Sequence, residues 1–278
     1  IMSQMIKLLK EYFKNTPKEQ IDADFKSVKN LNLQGPTIEE FMEWNGMFNY
    51  DRIRSRSEKT KELVRTEMKE LGIEQIIDEA YKLYMPQVRS EITDLTHFLV
   101  ENTSLKHGHA INVLEIGTKF GGTFWIWNQL VVMRGMGGEC ISIDLPNGIH
   151  GGIDLDSINK RNLYFLERFE NCHFIEGNSH VKETHNKVSE LLNDRKVDFL
   201  FIDGDHTFDG IAQDFYDYLL FCKPKSFIAF HDIVISDHHH SRNVFVGEFW
   251  NEIKNNYNHW EFIESGNNWA GIGLIQLP

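Results

Sequence analysis

From Gln87 to the C-terminus, short apolar runs alternate with stretches whose apolar residues recur at helical spacing. Each apolar run is four to six residues long and ends in glycine or polar residues, as buried strands do. Strands alternating with helices are typical of an α/β fold with a parallel sheet, and the last two runs predict an antiparallel hairpin at the sheet edge. The seven predicted strands cover residues 111–116, 140–144, 173–176, 197–202, 227–230, 260–263 and 271–276.

Residues 1–85 follow a different pattern, with helical periods and few strand signals. The segments 16–19 and 37–40 have threonine at the helix N-cap and glutamate three residues later, which predicts two capping boxes. The sequence therefore predicts an N-terminal helical section over 1–85 and an α/β domain over 86–278. Helices are predicted over 58–71, 88–101, 188–192, 211–221 and 249–257, and three further helices run through the apolar positions within 76–83, 125–130 and 163–166.

A glycine loop follows the first predicted strand. Gly117 allows a sharp turn off the strand, while Gly121 and Gly122 lack a Cβ and can bring backbone N–H groups close to a ligand at the helix start. The spacing differs from the G-x-G-x-x-G of dinucleotide folds, and the loop is preceded by an acid at Glu115. Asp144 ends the second strand 22 residues after Gly122, where a carboxylate that binds ribose hydroxyls is expected.

A second group of polar residues follows the fourth and fifth strands. Asp203 and His206 come directly after one strand, and His231 and Asp232 after the next. The carboxyl ends of parallel strands meet at one edge of a sheet and face the ligand crevice. We therefore expect these four side chains to converge near the glycine loop.

Composition narrows the class of partner. The chain has 29 Lys and Arg against 41 Asp and Glu, a net charge of −12, which argues against a nucleic-acid binder. Three isolated cysteines favour neither a disulfide framework nor a thiolate zinc site, and they predict a reducing, cytoplasmic location. We find no apolar run of membrane-spanning length, so no membrane partner is expected. Ile1 precedes Met2, which is compatible with a segment cut from a longer polypeptide.

The segments L-E-I-G-T-x-x-G-G, I-D-G-D-H and F-H-D together resemble a known enzyme family. The glycine spacing resembles motif I of the class I S-adenosylmethionine (SAM) methyltransferases. Over residues 87–278 the chain is similar to the O-methyltransferases that include the macrolide-sugar and cephalosporin-hydroxylase-like proteins. The resemblance implies a Rossmann-like, doubly wound, mostly parallel seven-stranded sheet with an antiparallel C-terminal edge hairpin.

The resemblance also implies a metal site and a base. In these relatives the acids after the fourth and fifth strands hold magnesium, which makes Asp203 and Asp232 the expected ligands of Mg²⁺ or another divalent cation. His206 corresponds to the proposed base. His231 stands where some relatives have glutamate, and it is either a further ligand or a neighbour of the ligands.

The expected SAM site extends from the glycine loop to the metal. The amino-acid end of SAM would meet the loop, the ribose would meet the carboxylate that ends the second strand, and the adenine would lie near the turn after the third strand. The candidate cofactor-binding residues are Glu115, Gly117, Thr118, Gly121, Gly122, Asp144, Asn178, Ser179 and Asp203.

Three functions remain open at this stage. The leading hypothesis is a SAM-dependent O-methyltransferase that methylates a hydroxyl of a small metabolite, such as a sugar or a natural-product intermediate. The alternatives are a nicotinamide-dependent oxidoreductase and a catalytically silent binding or assembly subunit. Helices like those of the first section resemble lids or oligomer contacts, so we expect a homo-oligomer or a part of a larger polypeptide. The histidine run 238–240 is predicted to be a polar loop, and Trp269 to line the acceptor pocket.

Overall fold

The computed structural model describes residues 71–102, 110–134, 137–148 and 152–278. The chain divides into two units, Ile1–Phe48 and Asn49–Pro278, and every described residue belongs to the second. Both predicted capping boxes, and all but the last residue of the helix predicted over 58–71, lie outside the described residues.

Seven strands form one sheet in the order β3-β2-β1-β4-β5-β7-β6. The first five strands are parallel, and β7 runs antiparallel between β5 and β6, so the predicted fold class is confirmed. The strands are β1 (Val113–Ile116), β2 (Cys140–Asp144), β3 (Cys172–Glu176), β4 (Val197–Ile202), β5 (Cys222–His231), β6 (Asn258–Phe262) and β7 (Ile272–Gln276).

Helices connect the strands and precede them, as the periodicity predicts. None of the helices in the described ranges combines the length and apolarity needed to span a bilayer. They are α1 (Ile73–Lys82), α2 (Arg89–Asn102), α3 (Gly122–Arg134), α4 (Leu155–Leu166), α5 (Lys182–Leu192), α6 (Phe208–Tyr218), α7 (Asp237–His240) and α8 (Val246–Ile253).

Several boundaries differ from the predicted ones, and two of these differences have a local structural reason. Strand β5 begins at Cys222, five residues before the predicted start, because its pairing with β4 continues past an irregularity between Val197 and Phe199. Helix α6 ends at Tyr218, and Leu219–Phe221 form a 3₁₀ turn instead of the predicted last helical turn. Tighter turns of this kind are common at helix C-termini.

Apolar side chains fill a layer on each face of the sheet. Successive strand residues point to opposite faces, so Phe199 belongs to one layer and Leu200 to the other. Helices α1, α2 and α3 cover the first face, whereas α5, α6 and α8 cover the second. Burial on both faces explains why the parallel strands are nearly continuous apolar runs.

Strand register determines where the site lies. Ile116 at the end of β1 pairs with Ile143 of β2 and with Ile202 of β4, and Ile202 pairs with Phe230 of β5. The strand order reverses between β1 and β4, and ligands of open α/β sheets bind at such a switch point, beyond the carboxyl ends of the strands. The glycine loop and the predicted acids all follow these strand ends.

Candidate active site

A cleft of about 860 Å³ opens above the carboxyl ends of the central strands. Its size lies within the range of ligand pockets. Eight of the sequence-predicted site residues contribute to its wall: Gly117, Asp144, Asn178, Ser179, Asp203, His206, His231 and Asp232. Trp269 also lines the cleft, as predicted.

Gly117 allows the glycine loop to lie against the backbone that follows β4. Its φ is +87°, and a Cβ at this position would lie 2.0 Å from the carbonyl oxygen of Asp203. The Asp203 N–H donates to the carbonyl of Ile116 at 2.8 Å, and the Gly117 N–H donates to that of Ile143 at 2.9 Å. Glycine at this position therefore brings the predicted cofactor loop next to the predicted metal ligand.

Gly121 and Gly122 lie outside the cleft wall. A Cβ on Gly121 would lie 2.8 Å from the ring of Phe165, and one on Gly122 would lie 2.4 Å from the Cβ of Met85. The absence of these two side chains thus allows close packing of α3 against its neighbours. Direct ligand contact by Gly121 and Gly122 stays a prediction.

Glu115 and Thr118 are also buried behind the cleft wall. Glu115 accepts a hydrogen bond from the indole N–H of Trp127 at 2.9 Å, and the hydroxyl of Thr118 is hydrogen-bonded to that of Ser142. Burial raises the pKa of Glu115 to about 8, against the opposing effect of hydrogen bonds from the hydroxyls of Thr123 and Thr118 and from Trp127. In the structure Glu115 holds α3 on the sheet, and its contact with SAM stays a prediction.

The raised pKa of Glu115 predicts a specific pH dependence of stability. Between its ordinary pKa near 4.5 and the folded value of about 8, the unfolded chain releases this proton while the folded chain retains it. Stability is therefore lost as the pH rises through this window. Glu115→Gln keeps an acceptor for Trp127. We expect its melting temperature to rise relative to that of the wild type as the pH increases from 5 to 8. The exposed Glu190→Gln serves as control, and a difference for Glu115→Gln that does not change with pH would contradict the assignment.

Asp144 is held by an arginine that the sequence analysis did not identify. Arg161 on α4 is buried, and its Nη1 pairs with the carboxylate of Asp144 and donates to the carbonyl of Lys119 at 2.5 Å. Asp144 thus stands at the cleft wall with one oxygen fixed by a charged hydrogen bond. The only sequence signal for Arg161 is a cation on the apolar face of a predicted helix.

The turn after β3 presents Asn178 and Ser179 to the cleft. The side-chain oxygen of Asn178 accepts from the backbone N–H of His180 at 2.8 Å, and the carbonyl of Ser179 accepts from the hydroxyl of Tyr218 at 3.0 Å. These bonds fix the turn at the same side of the cleft as Asp144. A contact between this turn and an adenine ring remains a prediction.

The two acids and two histidines after β4 and β5 converge, as predicted. Oδ1 of Asp203 lies 3.3 Å from Nε2 of His206 and 3.1 Å from Nδ1 of His231. Asp232 lies 3.0 Å from Nδ1 of His206 through Oδ2 and 3.2 Å from Nδ1 of His231 through Oδ1. Each imidazole therefore bridges both carboxylates.

The four groups stabilise one another's charged forms. Burial disfavours charge on Asp203 and Asp232, but the histidines that contact them hold the pKa of both carboxyls below the ordinary value. Burial opposes charge on the imidazoles as well, yet the carboxylates raise the pKa of His231 to about 9 and that of His206 well above its ordinary value. The cluster is therefore two carboxylates balanced by two imidazolium groups.

These side chains are held in place partly by residues that are distant in the sequence. The amide of Gln87, which precedes α2, donates to Oδ2 of Asp203 at 2.9 Å. Asp232 itself has a φ of +65°, a left-handed conformation that aspartate adopts more readily than most residues. Neither the role of Gln87 nor this backbone conformation could be predicted, because neither has a local signal in the sequence.

The histidine run differs from the predicted loop. His238–His240 lie in the short helix α7, and His239 is buried. Its Nδ1 and Nε2 lie 2.6 Å from the carbonyl oxygens of Val234 and Trp269, and Nε2 lies 3.6 Å from Oδ1 of Asp232. His239 therefore ties the Trp269 loop to the acid cluster.

Three side chains in this cluster could hold a divalent cation. Asp203, His206 and Asp232 each offer one ligand atom, and these atoms all lie within 4.8 Å of one another. Carboxylates suit Mg²⁺ or Mn²⁺, whereas an imidazole nitrogen favours a transition metal. The donor set thus fits a divalent cation and includes His206. The structure places His231 beside both carboxylates with its Nε2 buried and unpartnered, and its role as a ligand stays a prediction.

Comparison with known proteins bears on the same part of the chain. Residues 114–233 match a family model described as a methyltransferase domain, a span that includes every predicted cofactor-binding, metal and catalytic residue. The uncharacterized protein y4gI of Sinorhizobium fredii is 24% identical over a 169-residue alignment, which covers 56% of this chain and 18% of that protein. The chain therefore spans less than a fifth of the length of this curated relative.

Two solved structures are similar to this chain at low sequence identity. A protein from Klebsiella pneumoniae assigned as an O-methyltransferase has a TM-score of 0.49 and 16% identity, over 74% of this chain and 89% of that chain. The O-methyltransferase from Bacillus cereus in complex with S-adenosylhomocysteine has a TM-score of 0.45 and 17% identity, over 73% of this chain and 90% of that chain.

Proposed function

We propose that this protein, whose residues 114–233 match the family model of methyltransferase domains, moves the methyl group of SAM to a hydroxyl of a small metabolite. The family match and the sheet order support SAM-dependent methylation. The observation that carries the finer proposal is that one cleft joins Gly117 of the glycine loop and Asp144 at the end of β2 to the cluster of Asp203, His206 and Asp232. The acid and imidazole groups favour an acceptor that must lose a proton, as a hydroxyl must.

The glycine-loop side of the cleft has the groups that SAM requires. Asp144 can accept hydrogen bonds from the two ribose hydroxyls, and its pairing with Arg161 fixes the carboxylate for this contact. The turn at Asn178 and Ser179 lies at the same side and fits the adenine. Gly117 lets the loop backbone approach the amino-acid end of the ligand beside Asp203. Positioning of two reactants in this manner contributes about 7 to 11 kcal/mol to catalysis in favourable cases.

At the side of the cleft that holds the acid cluster, the chain supplies groups that promote methyl transfer to oxygen. The acceptor oxygen forms a bond to the methyl carbon as the carbon–sulfur bond breaks, and that electron pair stays on sulfur. The products are a methyl ether and S-adenosylhomocysteine, and His206 takes the proton of the hydroxyl. A positioned base of this kind contributes a factor of about 10² to 10⁴.

His206 must be neutral before it can accept a proton. Contacts with the carboxylates of Asp203 and Asp232 outweigh burial and hold its pKa well above the ordinary value, which favours imidazolium. A divalent cation held by these carboxylates, without His206 as a ligand, would supply positive charge that offsets this effect and would lower the pKa of the acceptor hydroxyl. His231 adds a second positive group beside both acids and orients them.

The proposal is tested by calorimetric titration with S-adenosylhomocysteine, in the presence of Mg²⁺ or Mn²⁺ and again with EDTA. We expect saturable micromolar binding and at least about tenfold weaker binding by Asp144→Asn, because the ribose hydroxyls lose a charged acceptor. Asp156→Asn removes the same charge from an exposed position on α4 and should bind as the wild type does. A response to NADH in a parallel titration would favour the oxidoreductase alternative. Absence of S-adenosylhomocysteine binding would reject the methyltransferase proposal.

A further inference from the structure

One arginine in the cleft lacks an acidic partner among the described residues. Arg242 lines the cleft, and its guanidinium lies 2.8 to 2.9 Å from the ring nitrogens of His238. Among arginines whose side chains the structure describes, each of the others contacts a carboxylate: Arg89 with Asp78, Arg161 with Asp144, Arg168 with Glu167 and Arg195 with Glu139. Arg242 is the exception in this part of the chain, and a second basic side chain lies next to it.

The carboxylates of the cleft are already engaged elsewhere. Asp144 pairs with Arg161, and the acids after β4 and β5 contact two histidines. Oδ1 of Asp205 accepts from the backbone N–H of Thr207 at 2.9 Å and from its hydroxyl at 2.8 Å. The described cleft residues therefore leave the positive charge of Arg242 available to a ligand.

Arg242 is also close to the reacting groups. Its backbone N–H donates to the carbonyl of His239 at 2.9 Å, and the ring of His239 lies 3.6 Å from Asp232 and 2.6 Å from the carbonyl of Trp269. The indole of Trp269 is 40% exposed and lines the same cleft. A cation and a flat apolar surface are thus linked through one buried histidine to the acid cluster.

The negative net charge of the chain indicates why a local cation matters for the binding of an anion. A chain with a net charge of −12 repels anions at long range, but that field is screened over about 8 Å at physiological ionic strength. Recognition of an anion within the cleft therefore depends on a local cation. A guanidinium suits carboxylate and phosphate oxygens, because it can form two parallel charged hydrogen bonds with either group.

We propose that the methyl acceptor is a hydroxylated small molecule that carries a carboxylate or a phosphate, and that Arg242 binds this anionic group. Trp269 packs against the apolar face of the acceptor, and the hydroxyl to be methylated then faces His206 and the acid cluster. This inference rests on the proposed function and specifies its substrate class. An anion fixed at one end also gives the neutral hydroxyl the orientation that an in-line displacement needs.

The experiment compares three probes that share a hexose ring: glucose, glucuronate and glucose 6-phosphate. Each is titrated by calorimetry into protein saturated with S-adenosylhomocysteine, with Mg²⁺ and again with EDTA. We expect glucuronate or glucose 6-phosphate to bind at least about tenfold more tightly than glucose, as a charged hydrogen-bonded pair allows. The two anionic probes distinguish a carboxylate from a phosphate as the recognised group.

Matched variants assign the effect to Arg242. Arg242→Gln is expected to remove the preference for the anionic probe, whereas Arg168→Gln, which removes the same charge from the turn after α4 and outside the cleft wall, is expected to retain it. The proposal fails if no probe binds, if glucose binds as tightly as both anions, or if the two variants behave alike. Each variant is also titrated with S-adenosylhomocysteine, so that a failure of this inference can be distinguished from a failure of the proposed function. If S-adenosylhomocysteine still binds while the anionic probes do not, the acceptor class is wrong and the proposed methyl transfer is unaffected.

Discussion

Asp203→Asn is expected to abolish divalent-cation binding and to lower turnover by at least about a hundredfold, since a metal contributes several kcal/mol of charge stabilisation. The amide is neutral and is a poor metal ligand. It also removes a counter-charge from both imidazoles that contact Asp203. The affinity for S-adenosylhomocysteine should change by less than about threefold, because the ribose carboxylate belongs to a different strand. Titration with Mn²⁺ and with S-adenosylhomocysteine measures the two affinities separately.

A neighbouring acid provides the control for Asp203. Asp209 is exposed in the first turn of α6, six positions along the chain, so Asp209→Asn makes the same charge change away from the cluster. We expect this variant to bind the cation normally. If Asp203→Asn lost S-adenosylhomocysteine affinity as strongly as cation affinity, the two sites would not be separate, and the expectation that Asp203 contributes mainly to the metal site would be wrong.

Gly117→Ala is expected to lower the free energy of unfolding by at least about 3 kcal/mol. A positive φ costs an L-residue roughly 1 to 2 kcal/mol, and here the added Cβ would also lie 2.0 Å from the backbone carbonyl of Asp203. A backbone atom cannot move aside as a flexible side chain can. Either the loop or the segment after β4 must shift. Denaturant unfolding measures the loss.

Gly266→Ala separates conformational strain from steric overlap. Gly266 has a φ of +83°, close to that of Gly117, but a Cβ there would meet no atom within 4 Å. This variant should lose only the strain energy, about 1 to 2 kcal/mol. Equal losses in both variants would contradict the close approach of Gly117 to Asp203. A folded Gly117→Ala variant should also bind Mn²⁺ more weakly, because displacement of this segment moves the predicted ligand.

Local pattern was sufficient to predict most of the fold. The strand predicted over 197–202 is β4 with the same bounds, since six consecutive apolar-rich positions between polar turns can only be buried on both faces. The early start of β5 at Cys222 could not be predicted. The first residues of this strand include Pro224, and they belong to the strand only because Cys222 pairs with β4. Strand pairing is a tertiary contact, and local periodicity does not encode it.

The convergence of the acid cluster was also predictable from the sequence. Asp203, His206, His231 and Asp232 follow two parallel strands that pair directly, so the chain topology alone brings them together. The residues that fix them were not predictable. Gln87 reaches Asp203 across 116 positions, and such contacts follow from packing of α2 against the sheet.

The sequence by itself determined the order of elements, the glycine loop and the chemical types of the site residues, because each of these depends on neighbouring residues. Only the tertiary structure decided which of the loop residues line the cleft. Gly117 reaches the cleft wall, while Gly121 and Gly122 accommodate Phe165 and Met85 from other elements. It also decided that Arg161 fixes Asp144. These assignments depend on contacts between side chains that are distant in the sequence. Packing of the two apolar layers in three dimensions determines which of these contacts form.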